Sequence, residues 1–136
     1  MLQQRRHLRG PQVSFLAHLQ SIVGQVDGAI ACSVMGFDGI AVETHQAPAS
    51  AEAASAMELT TAWVEYANIL TQLKNAAEVL KTGSIAEVSV NSEHLITLMR
   101  MVTPEYFIVL GLKPTGNYGK ARYVLRITAP KVKSEL

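Results

Sequence analysis

One segment sets the terms for the fold. Between Pro48 and Gly83 the chain holds no proline and no glycine, and Leu59, Trp63, Tyr66, Leu70, Leu73, Ala77 and Leu80 recur in alternating steps of four and three. That rhythm places all seven on one stripe of an α-helix. Ala62, Ile69 and Ala76 widen the stripe, while Glu58, Glu65, Asn68, Gln72 and Asn75 lie opposite. The spacing predicts one helix from Ser50 to Gly83. At about 1.5 Å per residue such a rod is ~45 Å long, whereas a compact domain of this size has a radius of gyration of only ~14 Å. The rod overhangs its own domain unless it kinks or a second copy covers it. The stripe therefore predicts a helix and, with it, a homodimer.

The 136 residues fit one domain, able to bury about two-thirds of the surface its unfolded chain exposes. No apolar run approaches the ~20 residues of a membrane span, so no membrane insertion is expected. The first twelve residues, MLQQRRHLRGPQ, are basic and have no apolar core behind them, unlike a signal peptide. A cytoplasmic location is the expectation. Residues 1–12 read as a disordered basic arm and 13–136 as the folded domain. Cys32 is the only cysteine, which excludes an internal disulfide or a cysteine-rich metal site.

A net charge of +1 hides an asymmetry. Residues 13–113 carry four Lys/Arg against ten Asp/Glu, while the last stretch holds Lys120, Arg122, Arg126, Lys131 and Lys133 against one acid. An acidic body with basic ends lacks the dense cationic face that nucleic acid requires. The basic tail, if it binds anything, favours an acidic protein surface.

Around the rod the pattern alternates helix and strand. Phe15, Leu19, Ile22, Val23 and Val26 share a face of a short helix over 13–26, ended by Asp27-Gly28. Residues 29–35 and 40–45 read as strands joined by Gly36-Phe37-Asp38-Gly39, a hairpin signal because glycine accepts positive φ. Lys81 is expected in the last turn of the rod and Gly83 at its C′ position. In 85–91, Ala86, Val88 and Val90 alternate with Glu87, Ser89 and Asn91, the pattern of a half-buried edge strand. The runs 95–102 and 106–112 are apolar on both faces and need cover on both. Asn117 caps a last helix carrying Tyr118, Ala121, Val124 and Leu125, which Pro130 should kink or restart. Short connections between successive strands give a five-stranded antiparallel sheet, with the long helix on one face and the N- and C-terminal helices on the other. This is an α/β sandwich of three layers.

Catalytic groups do not assemble in the pattern. His7, His18, His45 and His94 fall in four separate elements, none at metal-ligand spacing. No serine sits in a nucleophile context. Glu43, Glu52 and Glu58 form no acid–base pair by spacing. Gly116-Asn117-Tyr118-Gly119-Lys120 imitates a phosphate loop, but Pro114 stands where its first glycine belongs and Ala121 where the magnesium-binding Ser or Thr belongs. It reads better as a helix start in which glycine allows close packing. No catalytic residue, cofactor or metal ligand is nominated. The hairpin tip is the candidate contact surface. An aromatic at a solvated tip either folds back onto the core or meets a partner, so Phe37, Asp38 and Ile40 are nominated for partner binding.

The hairpin VMGFDGIAVET, the helix WVEYANILTQLKNAAEVL and the ending YFIVLGLKPTGNYGKARYVLRITAPKV together resemble the roadblock/dynein light chain family, in particular the MglC-like members of bacterial gliding-motility systems. The resemblance covers roughly residues 13–136 and implies the three-layer roadblock fold. It implies a homodimer in which the long helices pack antiparallel and the third strands pair. Leu59, Trp63, Tyr66, Leu70, Leu73, Ala77 and Val88 are then the expected interface. It further implies an adaptor without chemistry in a small Ras-like GTPase polarity system, binding an MglB-like roadblock protein and a response-regulator protein, with a polar location. Direct activation of the GTPase is the alternative. Arg100, placed mid-strand, and Arg122 and Arg126, on the last helix, offer no obvious catalytic finger.

Overall fold

The structure, a computed structural model, describes residues 15–48 and 53–136, with side chains in the long helix described from residue 59 onward. The expected arm at 1–12, the helix start at Ser50, His7, Glu52 and the side chain of Glu58 lie outside the described residues. Helix α1 is seen over residues 15–25. Then follow β1 (Ala29–Gly36), β2 (Ala41–Gln46), α2 (Ala53–Leu80), β3 (Glu87–Asn91), β4 (Ile96–Met101), β5 (Tyr106–Leu112) and α3 (Tyr118–Lys133). The sheet order is β2-β1-β5-β4-β3, and every neighbouring pair is antiparallel.

Two cores flank this sheet, which explains the unbroken apolar runs. On β5, Phe107 and Val109 point toward α2, where they meet Trp63, Ala67 and Leu70. Ile108, Leu110 and Leu112 point the other way, into a core built with Phe15, Leu19 and Ile22 of α1 and Ala121, Val124 and Leu125 of α3. A central strand covered on both sides has no polar face to show. Cys32 on β1 is fully buried, and the loss of water pushes its thiol well above the usual range. It is a small core residue, not a nucleophile. A Cβ on Gly111 would stand 3.3 Å from Leu59 Cδ1 and 3.4 Å from Trp63 Cζ2. The bare backbone there lets α2 lie directly on β5.

Two helix ends differ from expectation. Lys81 is not in the last turn of α2; it takes the left-handed C′ position itself, with φ 58°. Its N–H bonds to Glu78 O at 3.2 Å, and Thr82 N–H reaches back to Ala77 O at 3.1 Å. Those two bonds make a Schellman closure, so Gly83 falls two residues beyond it. In α3, Pro130 does not restart the helix, which runs on through it to Lys133. Pro130 is exposed and lies in the last turns, where losing one N–H donor frees a carbonyl that water can reach.

Candidate functional site

The long helix carries more apolar surface than its own sheet can cover. Trp63 is 0% exposed and Leu70 is buried with it against the sheet, Leu59 and Tyr66 are half-buried beside them, and Ala77 is also buried within the protomer. Leu73 and Leu80 are not; they remain 38% and 70% exposed. Ile69 is 46% exposed, Ala76 is exposed and Ala62 half-buried. Ala62, Tyr66, Ile69, Leu73, Ala76 and Leu80 follow one another in steps of four, three, four, three and four. Two adjacent stripes therefore share one helix: one faces the chain's own sheet, and the other faces outward with heptad spacing. The expected interface residues thus divide between the two stripes. Trp63, Leu70 and Ala77 are buried inside the protomer, and the exposed apolar stripe lies one position around the helix.

The outward stripe lies on the flank of α2 away from the β1–β2 hairpin. A Cβ on Gly39, at the β1–β2 tip, would meet Val64 Cγ1 at 3.1 Å, so the Val64 flank of α2 faces that hairpin. At about 100° per residue the outward stripe lies on the opposite flank, toward β4 and β3. Strand β3 ends the sheet on that side. Val88 and Val90 pack half-buried against the α2 core. On the other face of β3, Glu87 accepts from Arg122 Nε at 2.6 Å and lies 3.3 Å from Arg100 Nη1, and Ser89 Oγ is 2.9 Å from Tyr118 Oη. Both faces of β3 are thus engaged, while its outer backbone edge has no strand beside it among the described residues.

The hairpin tip turns its aromatic inward. Phe37 is half-buried, with its ring centroid 5.1 Å from that of Phe107 and Lys74 Nζ 3.7 Å above it. Asp38 Oδ1 accepts from Ile40 N–H at 3.0 Å, which shapes the turn and leaves Ile40 67% exposed. Nothing in the sequence signalled the link from Lys74 to Phe37, because the two residues are far apart along the chain.

Several polar groups that could do chemistry are engaged within the chain. Glu87 holds Arg100 and Arg122, and the Arg126 guanidinium lies 5.6 Å from the Tyr123 ring. In the 116–120 loop, Gly116 N–H bonds to Lys113 O at 2.8 Å and Asn117 N–H to Asp27 O at 3.0 Å. Lys120 N–H bonds to Asn117 Oδ1 at 3.1 Å. Three amides of the loop are thus spent inside the chain, two on backbone carbonyls and one on the helix cap. A Cβ on Gly116 would come 2.5 Å from Leu112 Cδ1, so this glycine serves packing. His94 pairs with Glu93 at the surface, and His18 and His45 stand apart in α1 and β2. Among the described residues no three His, Cys, Asp or Glu side chains gather as a metal site, and no helix is long and apolar enough to cross a membrane.

The chain is 64% identical to MglC from Myxococcus xanthus, matching its crystal structure over 90% of this chain and 99% of that one, with a TM-score of 0.65. The chain belongs to the MglC family. As an MglC-type protein it shares its fold with more distant structures. The gliding protein MglB from Thermus thermophilus aligns over 92% of this chain and 90% of its own, at 14% identity and a TM-score of 0.81. A Roadblock/LC7 domain from Streptomyces avermitilis aligns over 87% and 93%, at 11% identity and a TM-score of 0.71. At such identities these likenesses concern the fold alone, and that fold is the three-layer roadblock sandwich expected from the sequence. No family model and no curated protein matches the chain.

Proposed function

We propose that this MglC-type chain works as a homodimeric adaptor in a Mgl-type motility system, without catalysing a reaction. The observation that carries the reading is the outward stripe Ala62, Tyr66, Ile69, Leu73, Ala76 and Leu80, on the flank of α2 away from the β1–β2 hairpin, together with the unpaired edge of β3 that ends the sheet opposite that hairpin. Apolar side chains at heptad spacing are costly in water and gain when two copies pack together. An edge strand exposes unpaired N–H and C=O groups, which a second β3 would satisfy. Kinship with MglC supports the motility setting.

In this reading the dimer docks an MglB-like roadblock protein and a response-regulator protein, and acts on a small Ras-like GTPase through them, in the cytoplasm and at a cell pole. The hairpin tip offers one contact, with Ile40 and Asp38 presented at the surface and Phe37 bracing them from behind. Adaptor rather than activator is favoured because Arg100 and Arg122 pair with Glu87 inside the protomer rather than projecting as unpaired fingers. Mixing the purified chain with an MglB-like protein and following complex formation by light scattering tests the docking. A stable complex with no change in the rate of phosphate release from the GTPase supports the adaptor. Accelerated release by this chain alone contradicts it.

A further inference from the structure

A cleft of about 820 Å³ opens where the C-terminal end of α2 passes the β4–β5 turn. Half-buried Ile85, Met101 and Val102 give its lining an apolar part, and no residue of the outward stripe lines it. Its rim carries Lys74, Lys81, Arg100 and Lys133 against one carboxylate, Glu78. Two of these cations are engaged: Lys74 Nζ donates to Pro104 O at 2.8 Å, and Arg100 is held by Glu87. Lys81 and Lys133 are exposed, and no carboxylate among the described residues pairs with either. They come from the ends of different helices, α2 and α3, and converge on the same trough. Bringing like charges together around a partly apolar lining raises a positive potential that an anionic partner relieves.

We propose that this cleft docks an acidic linear segment of a partner protein, with an apolar side chain against Ile85, Met101 and Val102 and carboxylates on Lys81 and Lys133. Charge chooses the occupant. The chain's own first twelve residues hold three arginines and no carboxylate, the wrong sign for this rim. An extended segment suits a trough that offers one apolar seat between charged banks. The inference does not rest on the self-association stripe, because none of its residues lines the cleft.

Fluorescence anisotropy on the full chain tests it. The probe is a labelled decapeptide of Asp and Glu with two leucines at its centre. The native chain is expected to bind it at low ionic strength, and salt is expected to weaken the binding. Lys81→Glu with Lys133→Glu weakens it by roughly tenfold or more, while Lys120→Glu, at the far end of α3, leaves it unchanged. Exchanging the two leucines for serines weakens binding several-fold, and a Lys/Arg version of the peptide does not bind. Absence of binding, equal binding by the double variant, or equal binding by the serine peptide overturns the proposal. Anionic phosphatidylserine vesicles bound with the same dependence on Lys81 and Lys133 also overturn it, in favour of a membrane surface. Should the double reversal lower the melting temperature, Lys81→Gln with Lys133→Gln reads the same loss without adding acid.

Discussion

Lys74 Nζ stands 3.7 Å above the Phe37 ring and donates a 2.8 Å hydrogen bond to Pro104 O. One side chain of α2 thus ties the β1–β2 hairpin to the β4–β5 turn. Phe37 N–H adds a 3.1 Å bond to Glu105 O, and its ring leans on Phe107. The hairpin tip is therefore anchored from below. Phe37→Ala is expected to lower stability by about 2 kcal/mol, less than the ~3–5 of a fully buried Phe because the site is half-open. Urea denaturation followed by circular dichroism checks this. An unchanged midpoint would mean that the ring contributes nothing to the fold.

The two stripes of α2 predict opposite outcomes for the same kind of change. Leu73 is partly exposed in the protomer, so Leu73→Asp leaves the chain folded but places an unpaired charge in the proposed helix seam. Light scattering should report a monomer with a native circular dichroism spectrum. Trp63 is 0% exposed, so Trp63→Asp should unfold the protomer itself. If both variants behaved alike, the division of the helix into an inner and an outer stripe would be wrong.

Glu87 sits between two guanidiniums, with its side chain 29% exposed. Pairs this open to water contribute little each, ~0–1 kcal/mol, but Glu87→Ala breaks both and leaves Arg100 and Arg122 facing each other. A loss of about 1 kcal/mol is expected at low salt, shrinking as salt screens the charges. Melting curves across a salt series read it directly.

Lys81 holds a left-handed backbone that costs a residue with a Cβ roughly 1 kcal/mol or more. Lys81→Gly relieves that cost at the C′ position and should stabilise the chain by about 0.5–1 kcal/mol, seen as a raised melting temperature. A fall would show that the lysine side chain contributes more at this helix end than its backbone costs.

Much of the fold was legible because its signals are local. The Asp38-Gly39 pair fixed the hairpin, and the unbroken apolar run of β5 required two covered faces. Alternation in β3 marked an edge strand. What escaped the sequence was always a choice between neighbours in space. A wide apolar arc on a helix does not say which margin meets the sheet, and by spacing alone Leu73 and Leu80 fall on one stripe with Trp63. The direction of Phe37 depends on Lys74, Glu105 and Phe107, which the tip meets only after folding. Gly83 is the better residue for a left-handed C′ by propensity, yet the bonds to Glu78 O and Ala77 O place that position at Lys81. The double grip on Glu87 requires the β3–β4 register and the placement of α3 together, which no local pattern supplies.

The central claim is that the outward face of α2 and the edge of β3 are covered by a second copy. Sedimentation equilibrium of the native chain at micromolar concentration tests it most directly. The account predicts a single species of twice the chain mass. A monomer at that concentration, still folded and with the Leu73 face in water, would contradict it.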